Sequence, residues 1–340
     1  MDLSKAIIAY SLPGNSEFLV ATLARLDIQS KDSILSEYDF IISPFDKATE
    51  STYLLKFSSI AANRVFSIEA CGDIDMISTS FEEYTASYKI ILGQITEGQV
   101  QKTILSKRKV IKSEVPDLYT TFINLKNTYK SAFTYLFHIP EVGTWMGATP
   151  ELLANVKMGQ ILTRAIAGTM KKKSGDLEKV KWGDKEKVEQ HIIEDFLMRE
   201  FKKRNIDIDI SPTYTLSAGQ VIHICSDIKI KSFDLRETVE IIHPGPALSG
   251  MPKCRAIELI KRVEPTSREF YCGYLGPLSK SGAELYANLR CMKIYKDGYC
   301  LYVGGGLTKD SDLQKEWEEG ELKAKTLESI IFRQIQPTQL

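Results

Sequence analysis

Two stretches of the chain pair carboxylates at helical spacing. "KEWEEGELK" carries Glu316 and Glu319, with Lys323 one turn on, and "DKEKVEQHIIEDFLMREF" carries Glu186 and Glu189. Wound at about 100° per residue, the first stretch aligns Leu313, Trp317, Ala324, Leu327, Ile330 and Ile331 on one apolar arc. Glu316, Glu319 and Lys323 fall inside that arc. Glu318, Glu321, Lys325 and Glu328 fall outside it and are expected to be solvated. In the second stretch Val188, Ile192, Ile193, Phe196 and Leu197 form the arc, with Glu189 near its centre, Glu186 near one edge and Glu200 inside it. An ionised carboxylate buried without a partner is strongly unfavourable. A hard dication would compensate four of them, because oxygen donors without His or Cys suit such an ion, Mg²⁺ above all where the substrate is a small anion. Buried ion pairs, for instance Lys323 with Glu316 or Glu319, would do the same, and periodicity leaves both readings open.

Gly320 also lies in the arc, where glycine costs about 1 kcal/mol relative to alanine. Something is therefore expected to approach the helix backbone closely there. "SDLQ" predicts Ser311 as the N-cap with Gln314 at the third position. Upstream, Gly304, Gly305 and Gly306 end a strand-like run, but they lack the GxGxxG or GxxxxGK[ST] spacing of a phosphate loop.

The 340 residues carry a formal net charge of zero and are 43% hydrophobic and 26% charged, an ordinary globular balance with no global basic field for nucleic acid or an anionic membrane. The local run "GTMKKKSG" reads as a solvated loop. Six cysteines show no CxxC or zinc-ligand spacing and only four histidines are present, so a thiolate or imidazole metal site is not expected. The cysteines read as small core residues in a reducing compartment. No run approaches the ~20 apolar residues of a spanning helix, and the apolar run before Pro13 is too short for a secretory leader. A cytoplasmic, soluble protein is expected, a monomer or weak homodimer.

The elements that must position these residues follow from periodicity. "AIIAYSL", "YDFIIS" and "STYLLKFSS" read as strands and Ser78 to about Glu97 as a helix. "QKTILSKRKVIKS" is a strand and "PDLYTTFINLKNTY" an amphipathic helix. "FTYLFHIP", "GTWMGAT", "ELLANV" and "QILTRAIAG" form a meander. Asp184 to Arg204 is helical, "QVIHICSDIKIKS" a strand and "CRAIELIKRVEP" a helix closed by Pro265. Residues 271–307 read as three strands with turns at "SKSG" and "KDG", and the last helix runs from Ser311 to about Gln334. Hairpin-like series with helices between them predict an α+β fold with large antiparallel sheets.

Ten segments, in order between residues 100 and 328, resemble the chorismate-utilising enzymes: "QKTILSK", "GATPELL", "AIAGT", "KEKVEQ", "VIHICS", "HPGPALSGMPKCRAIELI", "REFYCGYLG", "LRCMKIY", "VGGGL" and "KEWEEGELK". The resemblance implies one catalytic domain over residues 1–340, with a divergent part at 1–99 and a motif-bearing core at 100–330. It implies two large antiparallel sheets packed face to face with peripheral helices, chorismate as substrate and Mg²⁺ as cofactor, with no nucleic acid or membrane partner. Lys102 matches the general base that takes a proton from water attacking the ring, for which its amine must be partly neutral. Glu151 matches the general acid that protonates the departing hydroxyl, its pKa raised by burial. Glu189 and Glu319 match direct Mg²⁺ ligands, and Glu186 and Glu316 the pair acting through water. Arg290 and Tyr271 match the enolpyruvyl-carboxylate clamp, and Gly304, Gly305 and Gly306 a backbone rest for a substrate carboxylate. Lys323, Gly168, Thr169 and His223 match further pocket positions.

Within the resemblance, Ile166 and Ala167 before Gly168 offer no lysine nucleophile for amination, and neither an "LLES" segment nor the Arg-Asn-Asp of the anthranilate branch is present. Isochorismate synthase, feeding menaquinone or a catecholate siderophore, is the activity expected. Salicylate synthase, an ammonia-using synthase component and a non-catalytic chorismate-binding relative are the alternatives. The chain departs from the family pattern at Lys107, where an arginine is usual, at Gln190, which separates Glu189 from His191, at Gly245, at Ala283 and at Met170 and Lys171.

Overall fold

Short apolar runs form the strands, and these pair antiparallel throughout. The computed structural model describes residues 3–157, 159–172, 177–218, 221–231 and 234–332, without the side chains of Thr169, Lys171, Lys185, Ala218, Val221, Thr326 and Phe332. In chain order it contains β1 (Ile7–Ser11), β2 (Leu19–Ile28), β3 (Phe40–Ser43), β4 (Tyr53–Ala62), α1 (Phe81–Thr96), β5 (Lys102–Lys112), α2 (Leu118–Thr128), β6 (Phe133–Ile139), β7 (Gly143–Thr149), β8 (Leu152–Lys157) and β9 (Gln160–Lys171). Then follow α3 (Asp184–Lys202), β10 (Ile208–Ile210), β11 (Tyr214–Ala218), β12 (Val221–Ile230), α4 (Leu235–Ile242), the two-residue β13 (Gly250–Met251), α5 (Lys253–Val263), β14 (Tyr274–Ser279), β15 (Gly282–Ala287), β16 (Cys291–Tyr295), β17 (Gly298–Leu307) and α6 (Leu313–Phe332).

One arm of the sheet runs β5–β17–β16–β7–β6–β1. The other runs β3–β14–β15–β8–β9–β12, with β10 and β11 on the far side of β12. The β2–β4 pair joins them. The arms face each other because alternate residues point to opposite faces. Tyr135, Phe137, Cys291, Cys300 and Tyr302 enter the core between the arms, while Leu136, Met292, Leu301 and Val303 point outward under helices. Phe133 of one arm stacks on Tyr286 of the other at 4.4 Å between ring centroids, and Tyr10 meets Phe40 at 5.4 Å. On the outer faces α2 and α6 cover the first arm and α3 and α4 the second, while α1 and α5 pack at the β5–β17 edge. The α+β fold of two large antiparallel sheets with peripheral helices is the one expected, with a continuous hydrogen-bond ladder linking the two. Residues before 100, in which the motifs are sparse, contribute the strands that link the arms.

Several expectations are corrected. Residues 271–307 form four strands, because the Asn288–Arg290 turn separates β15 from β16. The cap of α6 is Asp312, whose carboxylate accepts from Lys315 N at 3.0 Å, while Ser311 Oγ donates to Glu316 at 2.7 Å. On α3 the buried face is rotated by one position: Gln190, Phe196, Leu197 and Phe201 are inside, and Val188 is 59% exposed. Four cysteines are buried, but Cys254 is exposed and Cys71 half-exposed. Glu321 and Glu328 are not merely solvated, since both hold lysines of β5.

A buried ion pair ties the start of β5 to the loop after α5. Arg268 meets Glu264 at 2.6 Å, both side chains nearly inaccessible, and donates to the Leu248 and Ile104 carbonyls. Glu264 in turn accepts from Ser106 N at 2.8 Å. Removing one partner strands the other charge, so Arg268→Ala should lose about 3–5 kcal/mol of stability in urea unfolding. A loss below about 1 kcal/mol would show that water reaches Glu264 in the variant.

Candidate active site

The glycine run sits in β17, where neighbours approach each of the three closely. A Cβ on Gly306 would lie 2.6 Å from Lys102 Cε. One on Gly305 would lie 3.0 Å from Glu316 Oε2, and one on Gly304 would lie 2.9 Å from the Leu105 carbonyl and 3.0 Å from the Tyr271 hydroxyl. Lys102 opens β5, opposite Met251 of β13, with its side chain half-buried against Gly306. β16 pairs with β17 only as far as Tyr302, so alternate backbone groups of the glycines face away from β5. The Gly304 carbonyl accepts from Lys323 Nζ at 2.8 Å.

A cavity of about 270 Å³ opens beside this run, lined by Glu151, His223, Tyr271, Arg290, Gly304 and Lys323 among others. Its size suits a ligand smaller than a drug molecule. Burial pushes the Glu151 carboxyl above the usual carboxylate range, against the opposing pull of the Lys102 and Arg290 charges. His223 Nδ1 lies 2.8 Å from the Gly168 carbonyl, which can only accept, so Nδ1 carries the proton. Burial lowers the pKa of this ring, leaving Nε2 as its acceptor nitrogen. Arg290 is exposed yet lines the cavity, and it adopts a left-handed φ of 49° at the end of the β15–β16 turn. That turn is held by buried Asn288, which accepts from Tyr135 at 2.7 Å and donates to the Phe270 carbonyl at 2.9 Å.

The four glutamates lie on two helices, Glu186 and Glu189 on α3 and Glu316 and Glu319 on α6. Gly168, at φ 56°, packs under Glu186, whose Cγ would lie 2.7 Å from an added Cβ. Glu316 abuts Gly305, and Glu189 is half-buried on α3. Glu319 is 53% exposed and bonded to Lys323 at 2.7 Å, so one of the two ion pairs considered from sequence forms. Among the described residues no three His, Cys, Asp or Glu side chains converge as a metal cluster. The donor chemistry still fits a hard ion: all four are carboxylates, Glu186 occupies space that Gly168 leaves open, and Glu316 abuts Gly305. Thr169 belongs to β9, but its side chain lies outside the described residues.

The structure therefore gathers Glu151, His223, Tyr271, Arg290, Gly304 and Lys323 around one space, with Lys102, Gly168, Gly305, Gly306, Glu186 and Glu316 tied to its walls. Glu189 and Glu319 stand on the same helices without a described contact to the cavity. Sequence reasoning did not single out Leu216 or Leu289, which with Ile166 and Leu327 supply apolar lining. Leu216 lies on β11, a strand whose short polar sequence carries little signal. Leu327 was legible only as a helix-arc residue.

A profile of the chorismate binding enzyme family matches residues 72–329. Anthranilate synthase component 1 of Spirochaeta aurantia is 28% identical over 70% of this chain and 52% of its own length. The isochorismate synthase MenF of Escherichia coli K12 is 24% identical over 73% of this chain and 60% of its own length. The chain thus spans half to three-fifths of these curated relatives. The solved structure of MenF from Escherichia coli superposes with a TM-score of 0.82 at 17% identity, covering 97% of this chain and 89% of that one. With that profile running through the strands and helices that build the cavity, the chain belongs to the chorismate binding enzyme family.

Proposed function

We propose that this protein converts chorismate to isochorismate. The reading rests chiefly on Glu151: a carboxyl whose pKa burial raises above the usual carboxylate range, in a small cavity with a guanidinium, an imidazole whose pKa burial lowers and a nearby lysine. In this reading Lys102 takes a proton from a water whose oxygen bonds to the ring. Glu151 gives its proton to the ring hydroxyl, which leaves as water, so one water enters and one departs. Arg290 and Tyr271 hold the enolpyruvyl carboxylate, the guanidinium by its fork of donors. Gly304, Gly305 and Gly306 leave backbone exposed to the ring carboxylate, with Lys323 beside them. His223, fixed by Gly168, presents Nε2 to the reacting hydroxyl. Glu186, Glu189, Glu316 and Glu319 would hold Mg²⁺, which when bound neutralises and orients a substrate carboxylate. The Lys323–Glu319 pair would then have to open to free Glu319.

Amination is the second reading, favoured by the 28% identity to anthranilate synthase component 1. Incubation of purified protein with chorismate, with and without Mg²⁺ and ammonium, followed by product NMR separates the two. Isochorismate formed only with Mg²⁺ and indifferent to ammonium is the expected outcome. An aminated product would overturn the proposal, and salicylate with pyruvate would move it to a synthase that also eliminates pyruvate.

A further inference from the structure

One side of α6 is held against β5 by a buried cation. Lys107 of β5 is 4% exposed. Its Nζ lies 3.2 Å from the centroid of the Trp317 ring, 2.7 Å from Glu321 Oε1 and 3.1 Å from the Trp317 carbonyl. Its Cε would stand 2.7 Å from a Cβ on Gly320. This is the close approach that the helix glycine called for. Trp317 is clamped from its other sides by Phe81 and Tyr84 of α1, at 5.2 and 5.3 Å. Lys109 then ties Glu321 and Glu328 at 2.9 and 2.7 Å.

We propose that Lys107 is the positioning residue that sets the rotation and height of α6, and thereby the placement of Glu316 and Glu319 for a divalent cation. The inference rests on the carboxylate reading given under Proposed function. Glu316 and Glu319 flank Trp317 and Gly320 along the helix, so any turn of α6 that fills space vacated by Lys107 moves both carboxylates. Beyond that anchor, Ala324, Leu327, Ile330 and Ile331 pack the C-terminal half of the helix into the core, and the half-exposed Lys323 bonds the Gly304 carbonyl. A cation this buried, in contact with a ring face, a carbonyl and a carboxylate, allows few alternative seatings. Lysine and glycine form a matched pair here: the amine fits because residue 320 has no Cβ.

The test is Mg²⁺ titration of the purified protein by isothermal calorimetry, without substrate, with the unfolding midpoint measured in parallel. Lys107→Met keeps an unbranched apolar stem out to the ε position and removes the charged amine. It should weaken Mg²⁺ binding about tenfold, the range seen when groups supporting metal ligands are altered. Gly320→Ala should weaken it likewise, by pushing the lysine from its seat. Glu319→Gln serves as the control on the carboxylate reading, and Trp317 fluorescence should shift in both Lys107→Met and Gly320→Ala. Wild-type affinity in Lys107→Met and Gly320→Ala, with Glu319→Gln weakened, would overturn the positioning role alone. A wild-type protein that binds no Mg²⁺, or a Glu319→Gln that binds as well as wild type, would remove the carboxylate reading and this role with it. A fall in unfolding midpoint with unchanged Mg²⁺ affinity would mark Lys107 as structural only. Should Lys107→Met not fold, Gly320→Ala decides.

Discussion

Lys102→Ala is expected to lower turnover of chorismate by about two to four orders of magnitude, the usual contribution of a positioned base, while leaving the fold intact. The variant should fold because Lys102 is half-buried at the first position of β5, outside every apolar cluster, and its backbone pairing with Met251 does not depend on the side chain. The chemistry should fail because the amine is seated by a glycine. Its Cε occupies the space over Gly306, two residues along β17 from the cavity-lining Gly304, and its charge acts on Glu151, whereas Lys323, the lysine among the described residues that line the cavity, is bound to Gly304 and Glu319. Steady-state kinetics with circular dichroism on the same sample reads both halves. Activity near the wild-type value in a folded variant would remove Lys102 from the role of base.

Glu151→Gln should cost about as much, and it carries a pH signature. The carboxyl is nearly isosteric with the amide, so the cavity keeps its shape. What disappears is the transferable proton. Burial raises the Glu151 pKa, and the cations of Lys102 and Arg290 oppose that rise. A general acid works while it is protonated, below its folded pKa. Turnover by the wild type should therefore fall as pH rises through the raised Glu151 value, and that alkaline limb should be missing from the residual activity of Glu151→Gln. The same group has a stability consequence of the same sign: a raised carboxyl pKa favours the folded state at low pH, and the contribution is lost as pH rises through the folded pKa. Removing the charge of Lys102 removes one lowering influence, so the Glu151 carboxyl should titrate at higher pH in Lys102→Ala, as carboxyl-carbon NMR would read. A Glu151 signal unmoved by that substitution would show that the two groups are not electrostatically coupled.

The strands and helices that bury one whole face were legible from periodicity. β5, β6, β7, β8, β9 and β12 and helices α1, α2, α3, α5 and α6 fall where the apolar patterns put them, within a few residues at their ends. Those that were missed are the ones whose order comes from neighbours. β2 is buried only in its first half and carries register shifts against β4 near Leu23, so its alternation breaks. β10 and β11 are short and polar, and each exists as a strand by pairing with β12. α4 has eight residues, fewer than an isolated helix needs, and is held by its Asp234 cap and by Val239, Ile241 and Ile242 against the second arm. The turn at Asn288, Leu289 and Arg290 has no glycine or proline to announce it, and depends on Asn288 bonding to Tyr135 and Phe270.

What the sequence determined by itself is local. Helical spacing placed two carboxylate pairs toward the protein's interior, and marked Gly320 as a position of close approach. Ordered motifs identified the family and the residues worth placing. Helical spacing anticipated the Lys323–Glu319 pair, but the partners that charges take across elements were decided by the tertiary structure. Glu321 looks solvent-facing on a helical wheel, yet it meets Lys107 across 214 positions of sequence. Glu319 looks inward, yet it stands half-exposed against Lys323. The reason is physical: periodicity follows from bonds along the chain, whereas a charge responds to whatever strand pairing brings within a few ångströms of it, and no pattern within one helix encodes that neighbour.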